Sequence, residues 1–150
     1  AKLFNLVRPT YVALGQKDAQ QVVVLKRMIR DLHFPIEVVI GPTLREPDGL
    51  AMSSRNSYLN DRQRQDALII HKALLAGKRL VDVKGIRNVD RVKAELMTVL
   101  QSGSFVRINY AEVVDRENMK PENEIELGRS MLVIAVWLDN VRLIDNISLG

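Results

Sequence analysis

The chain has 150 residues, of which 47% are hydrophobic and 27% charged, the composition of a globular protein with a core. It has no cysteine and two histidines, which excludes disulfides, thiolate catalysis and cysteine-ligated metals and disfavours a histidine-rich zinc site. The net charge of +4 is scattered and aromatic residues make up 5%, so we expect no nucleic-acid partner. Since no signal peptide or apolar run of about 20 residues is present, we expect a cytoplasmic protein without a membrane partner.

The opening part of the chain predicts part of an α/β domain. Residues 1–7 are typical of the last two turns of a helix, and we expect further chain to precede them. An apolar run from Tyr11 to Leu14 predicts a buried strand, followed by a helix from about Asp18 to Leu32 and a strand from Ile36 to Ile40. A strand–helix–strand unit of this length predicts a parallel sheet.

The remainder of the chain predicts a region of different architecture. Residues 41–59 lack periodicity and indicate a long loop, after which Asn60 and Gln63 have the spacing of a capping box that opens a helix to about Leu80. The later predicted elements are a helix over Val89–Leu100 closed at Gly103, a strand over Val106–Val114, and a hairpin of Met131–Leu138 and Val141–Ile147 turning at Asp139-Asn140. This order favours an antiparallel sheet packed with helices.

The first candidate site is the strand-to-helix corner Gly15-Gln16-Lys17-Asp18. Helix amino-termini attract anions because their first amide groups are unpaired, so a lysine placed there is explained by a bound phosphate. The alternative is a local role, in which Asp18 and Gln21 form a capping box and Gly15 only makes a turn.

The second candidate site is the loop from Pro42 to Asn56. Its Ser53-Ser54-Arg55 segment supplies hydroxyl donors and a planar cationic fork, which suit phosphate oxygens. The alternative is a solvated connection in which Arg45 and Glu46 form a weak surface pair and Met52 fills the core.

Other polar and aromatic residues receive structural assignments. We assign Arg62, Arg64 and Asp66 to the solvated start of a helix and His71 to packing or the surface. Trp137 is predicted to lie in the core.

Both candidate stretches resemble signature sequences of the pantothenate synthetase family. Gly15–Gln21 matches Gly-[Glu/Gln]-Lys-Asp-x-Gln-Gln, and Pro42–Asn56 matches Pro-Thr-x-Arg-Glu-x-Asp-Gly-Leu-Ala-Met-Ser-Ser-Arg-Asn without a gap. Residues 2–7 and Leu143–Asn146 are also similar, so the resemblance covers almost the whole chain. It implies the closing part of a Rossmann-like nucleotidyltransferase domain in residues 1–43. Residues 44–150 would hold a flexible ATP-binding loop and a small α+β domain with an antiparallel sheet.

The resemblance further implies ATP-dependent condensation of pantoate with β-alanine through a pantoyl adenylate. The residues that would bind ATP are Gly15, Gln16, Lys17, Asp18, Leu44, Met52, Ser53, Ser54 and Arg55. Gly15 and Asp18 would meet the ribose, Leu44 and Met52 the adenine, and Gln21 the pantoate. The catalytic residues would be Lys17, Ser53, Ser54 and Arg55, acting on the phosphates by positioning and electrostatic stabilisation. We expect the two groups to share one cleft.

The chain also departs from the family pattern. The family's His-x-Gly-His motif is absent, so the resemblance implies that this motif, the Mg²⁺ ligand and further pantoate ligands belong to a missing amino-terminal half. We therefore expect no metal site in this chain and negligible activity from it alone. Ala19 and Leu14 replace residues that are commonly aromatic in the family. The family is a homodimer, and a monomer remains open for this chain, as do a non-catalytic binding or dimerisation module and a tRNA-binding synthetase fragment.

Overall fold

The computed structural model describes residues 1–150 and divides into two compact units, Ala1–Thr43 and Leu44–Gly150. The first unit contains a two-stranded parallel sheet and the second a three-stranded antiparallel sheet. None of the helices is both long enough and apolar enough to cross a membrane.

The first unit is the predicted strand–helix–strand arrangement preceded by a short helix. Its elements are α1 (Lys2–Val7), β1 (Tyr11–Gly15), a 3-10 turn (Gln16–Asp18), α2 (Ala19–Asp31) and β2 (Glu37–Gly41). The predicted parallel pairing is confirmed, with Gly15 opposite Gly41 in the register. The helix α1 is followed by Arg8 as its C-cap, which adopts the left-handed conformation that commonly terminates helices.

The strands of this unit are more exposed than the sequence predicted. In β1, half-buried Val12 and Leu14 alternate with exposed residues, and Tyr11 is 61% exposed. The helix α2 buries Val22 and Ile29 and contacts β1. The buried strand predicted from the apolar run is therefore wrong for this chain, because the alternation leaves one face of β1 exposed.

The second unit places two helices against the antiparallel sheet. Its elements are a 3-10 turn (Ser54–Tyr58), α3 (Asp61–Asp82), α4 (Val89–Leu100), β3 (Val106–Asp115), β4 (Ser130–Leu138) and β5 (Val141–Ser148). The sheet order is β3-β4-β5, and the predicted β4–β5 hairpin is confirmed, with Asp139 of its turn at a positive φ of 51°.

The core of the second unit lies between the helices and one face of the sheet. Leu74 of α3, Leu96 of α4 and Leu132 of β4 are fully buried, and burial of each such side chain contributes about 2 kcal/mol. A Cβ at Gly77 would lie 2.7 Å from Leu96 Cδ2 and 2.8 Å from Leu132 Cδ1. Gly77 therefore allows α3 to approach α4 and β4 closely.

Two local predictions in this unit are corrected. The sequence predicts that Gly103 closes α4, but α4 ends at Leu100 with Gln101 as its cap, and Gly103 has no positive φ. A Cβ at Gly103 would lie 2.6 Å from Val106 Cγ2, so close packing explains this glycine. Trp137 was expected in the core, but it is only half-buried and lies under the Arg107 guanidinium, 5.5 Å from its ring centroid.

The start of α3 has the predicted capping box. The Asn60 side chain accepts a hydrogen bond from the Gln63 backbone N–H at 2.9 Å, and the Gln63 side chain accepts one from the Asn60 N–H at 2.9 Å. Each bond satisfies an amide that the helix geometry leaves unpaired.

Replacing Asn60 with Ala should lower the free energy of unfolding by about 1 kcal/mol, because the Gln63 amide loses its acceptor. Denaturant unfolding followed by circular dichroism measures this loss. Asn60→Asp keeps an acceptor and should stay close to the original stability; equal losses for Ala and Asp would contradict the capping role.

Candidate active site

The strand-to-helix corner of the first unit contains a glycine that neither its backbone conformation nor its packing requires. Gly15 has an ordinary extended backbone (φ −83°, ψ 131°), and a Cβ built on it would meet no heavy atom within 4 Å. Its neighbour Gly41 also lacks a positive φ, and its nearest atom would be the Leu14 carbonyl oxygen at 3.9 Å. Two adjacent glycines at the carboxyl ends of parallel strands leave a flat surface, which is where open α/β sheets bind ligands. No sequence motif singled out Gly41 as a candidate site residue, although it follows a predicted strand as Gly15 does.

The residues after Gly15 do not form the capping box that was the alternative to a ligand role. Gln16, Lys17 and Asp18 form a 3-10 turn, and Asp18 precedes α2 without a side-chain cap hydrogen bond. Asp18 and Gln21 are exposed, whereas Lys17 is half-buried. Local helix capping therefore does not explain Asp18.

A buried ion pair ties the loop of the second unit to the last strand. The Arg45 guanidinium donates to both carboxylate oxygens of Asp145, at 2.6 and 3.0 Å, and to the Gly49 carbonyl at 3.1 Å. The Asp145 side chain is 3% exposed and the Arg45 side chain 21%. The alternative of a weak Arg45–Glu46 surface pair is wrong, because Arg45 pairs with the buried Asp145 and Glu46 pairs with Arg64.

Helix α3 supplies a second tie to the same loop. Arg64 donates to Glu46 and to Asp48, each at 2.7 Å, and the Asn56 amide donates to Glu46 at 2.9 Å. The assignment of Arg64 to solvent is wrong. Arg64 lies one turn after the helix cap, and from there its side chain reaches the loop, which lies against this end of α3.

The backbone of the loop closes on itself between these ties. Glu46 N–H donates to the Leu50 carbonyl at 2.8 Å, and Met52 N–H donates to the Leu44 carbonyl at 2.9 Å. Gly49 has a φ of 96°, which favours glycine, and Leu50 is buried in the core. We call residues 45–51 the loop base.

The next four residues are exposed except for Ser53, which is half-buried, and we call residues 52–55 the loop tip. Met52 is 54% exposed and Leu44, beside it, is 68% exposed, so the alternative that Met52 fills the core is wrong. The Ser53 hydroxyl accepts from the Arg55 N–H at 3.2 Å, and Ser54 and Arg55 are exposed. The Arg55 guanidinium has no carboxylate within ion-pair distance, in contrast to Arg45 and Arg64. The tip thus presents hydroxyls and an uncompensated cation on an anchored base.

His71 of α3 lies against the loop base. A Cβ on Gly49 would collide with its Nδ1 atom. Burial lowers the pKa of His71 below its usual value of 6.5, the Arg45 charge lowers this pKa further, and the Asp145 charge opposes both. The neutral imidazole is therefore favoured beside the Arg45–Asp145 pair.

No group of three or more histidine, cysteine, aspartate or glutamate side chains in the chain could hold a metal ion. The site residues predicted from the sequence fall into the two units. Those in the first unit are Gly15, Gln16, Lys17, Asp18 and Gln21. Those in the second unit are Leu44, Met52, Ser53, Ser54 and Arg55.

Comparison with known proteins identifies the class to which this fold and these motifs belong, the pantothenate synthetases. The structure resembles that of pantothenate synthetase from Thermus thermophilus with a TM-score of 0.92 and 38% identity, over 98% of this chain and 52% of that one. It also resembles pantoate-beta-alanine ligase from Francisella tularensis, solved with beta-gamma ATP and beta-alanine, with a TM-score of 0.67 and 25% identity over 98% and 46% of the two chains.

Sequence comparison leads to the same family. The chain is 48% identical to pantothenate synthetase of Thermosipho africanus over 145 residues, which are 97% of this chain and 51% of that protein. It is 46% identical to the enzyme of Moorella thermoacetica over 149 residues, 99% of this chain and 52% of that protein. The family model described as Pantoate-beta-alanine ligase matches residues 1–148, and the chain belongs to this family. It spans about half the length of these relatives.

Asp145→Asn should lower the free energy of unfolding by about 3 kcal/mol, because it leaves the largely buried Arg45 charge uncompensated. It should also speed hydrogen exchange at the loop-base amides of Glu46 and Gly49. Mass spectrometry of exchange and denaturant unfolding measure the two effects.

The matched control is Asp115→Asn, which removes another buried carboxylate paired with an arginine, Arg129, at 2.7 Å. It should destabilise the unit without a local change at the loop base. Equal exchange in the loop base of both variants would contradict the anchoring role of Asp145.

His71 should make the second unit less stable as the pH falls. Because the unfolded chain binds this proton at a higher pH than the native state, the free energy of unfolding should decrease as the pH drops through 6.5 towards the lower native pKa. Unfolding experiments at several pH values should show that His71→Gln removes this decrease, whereas His33→Asn, at an exposed position of the first unit, keeps it. Parallel profiles for His71→Gln and the original chain would refute the prediction.

Proposed function

We propose that this chain carries part of the ATP site of a pantothenate synthetase, which condenses pantoate with β-alanine through a pantoyl adenylate. Family membership supports the overall reaction, and the Francisella relative, solved with beta-gamma ATP and beta-alanine, supports ATP and β-alanine as substrates. The first unit would be the closing part of a Rossmann-like nucleotide-binding domain, and residues 44–150 the loop and carboxyl-terminal domain.

The observation that carries the proposal is the contrast between the two parts of the loop. The base is fixed by ion pairs to Asp145 and Arg64, whereas Ser53, Ser54 and Arg55 keep their side chains at or near the surface. Donors carried on a fixed base would need less reorganisation when negative charge develops, which is the basis of electrostatic catalysis.

The residues of the loop tip would act on the triphosphate. As the pantoate carboxylate attacks the α-phosphorus, negative charge grows on the departing pyrophosphate. The Ser53 and Ser54 hydroxyls and the Arg55 fork would donate hydrogen bonds to it, while Leu44 and Met52 would contact the adenine.

The corner of the first unit would serve the same substrate. The surface left by Gly15 and Gly41 admits a ribose or phosphate close to the backbone, with Gln16 and Asp18 beside it. Lys17 would bind phosphate and Gln21 the pantoate. Mg²⁺ would enter with ATP, and the family resemblance implies that its protein ligand lies outside these residues.

Reconstitution tests this proposal. Since the chain contains no His-x-Gly-His, we expect negligible AMP release from it with ATP, Mg²⁺, pantoate and β-alanine. Adding the part of the Thermosipho africanus enzyme that this chain does not match should produce turnover. Lys17→Met should then reduce kcat by about 100-fold, the size expected for loss of one charge-stabilising donor.

The control is Lys26→Met, which removes an exposed lysine from α2 of the same unit and should leave turnover unchanged. Robust turnover by the chain alone would overturn the incomplete-site proposal. Reconstituted turnover that Lys17→Met does not change would remove Lys17 from the site.

A further inference from the structure

The face of the antiparallel sheet opposite the helices carries a row of cationic and aromatic side chains. Arg107 of β3, Trp137 of β4 and Arg142 of β5 are directly paired across the three strands. The Arg107 guanidinium lies over Trp137 at 5.5 Å, and that of Arg142 lies over Tyr110 at 5.9 Å. Such contacts hold the arginine side chains without neutralising them.

A cavity of about 600 Å³ adjoins this row within the second unit, and its lining joins the row to the loop tip. The lining residues are Arg55, Tyr58, Trp137, Asn140, Val141 and Arg142. None of them is acidic, and the nearby turn residue Asp139 accepts a hydrogen bond from Gln63. The lining therefore combines two guanidinium groups with neutral donors.

The arginines of the cavity and of the adjoining row have no carboxylate partner. Arg45, Arg64 and Arg129 each form an ion pair, whereas Arg55, Arg107 and Arg142 form none. Arg142 is nevertheless held in place, because its Nε donates to the Asn109 side chain at 3.2 Å. A fixed, uncompensated arginine leaves most of its donors for an anion from solution.

We propose that this cavity binds a polyphosphate anion, held between Arg55 and Arg142. The inference rests on the proposed function and adds a residue from β5 to the phosphate site. The anion is either the terminal phosphates of bound ATP or the pyrophosphate that the reaction releases. Both sources share the chemistry that two guanidinium forks recognise, several anionic oxygens on linked phosphates.

The cavity fits a polyphosphate better than a nucleobase. One face of Trp137 is already covered by Arg107, which leaves less aromatic surface for stacking. A base would also leave two cationic groups without partners, whereas a diphosphate satisfies both.

Trp137 is the sole tryptophan of the chain and lines the cavity, so its fluorescence reports binding there directly. We would titrate the 150-residue chain separately with inorganic pyrophosphate, ATP, AMP and adenosine at about 0.15 M salt, where surface charge is screened within about 8 Å. Pyrophosphate and ATP should give saturable changes, and adenosine should give none. A response to pyrophosphate but not to ATP would assign the cavity to the released product. A response to both would show that the cavity also accepts the terminal phosphates of ATP.

Arg142→Met should weaken pyrophosphate binding by about tenfold or more, since it removes a charged hydrogen-bond donor. Arg91→Met is the matched control, because it removes an exposed arginine of α4 and changes the net charge equally. Unfolding curves of both variants verify that they fold, and Arg142→Lys, which keeps the charge without the fork, should bind with intermediate strength.

Equal weakening by Arg142→Met and Arg91→Met, or no fluorescence response to pyrophosphate, would overturn the proposal. The reconstituted assay with Lys17→Met is independent of this cavity. If Lys17 proves necessary for turnover while Arg142→Met binds pyrophosphate normally, the cavity proposal fails and the proposed function stands.

Discussion

The bidentate contact between Arg45 and Asp145 is the constraint on which the second unit's loop depends. The two residues are 100 positions apart, and the Asp145 carboxylate is almost fully buried on β5. Because an unpaired buried carboxylate is costly, Arg45 cannot leave without destabilising the strand itself. The last strand thereby fixes a loop that would otherwise have many conformations, and Arg64 holds the other side of the same loop.

This constraint divides the loop into parts with different physical roles. In the loop base, ion pairs, backbone hydrogen bonds and the burial of Leu50 offset the conformational entropy that is lost when the loop becomes ordered. The loop tip makes few such contacts, and its uncompensated Arg55 adjoins a cavity that contains a second arginine, Arg142. A rigid base under an exposed, cationic tip suits a site that must bind a highly charged ligand and then release it.

Local patterns predicted most of the secondary structure because periodicity and capping act over a few residues. Asn60 and Gln63 formed the expected cap, and the two glycines Gly15 and Gly41 end paired parallel strands. The partner of Arg45 was not predictable in this way, because no local pattern specifies contacts between residues 100 positions apart. The assignments of Arg64 to solvent and of Trp137 to the core failed for a related reason: their environments depend on the loop and on the exposed sheet face. The motif residues themselves came from resemblance to a family, and their ligand roles remain proposals.

Backbone amide exchange of the 150-residue chain with and without Mg-ATP tests the central claim most directly. If an anchored base supports a ligand-binding tip, ATP should slow exchange at Ser53 and Ser54 and leave Glu46 and Gly49, already hydrogen-bonded in the free chain, nearly unchanged. Slowing spread evenly over residues 44–58 would mean that ATP folds the whole loop. That result, or no change at either serine, would contradict the account.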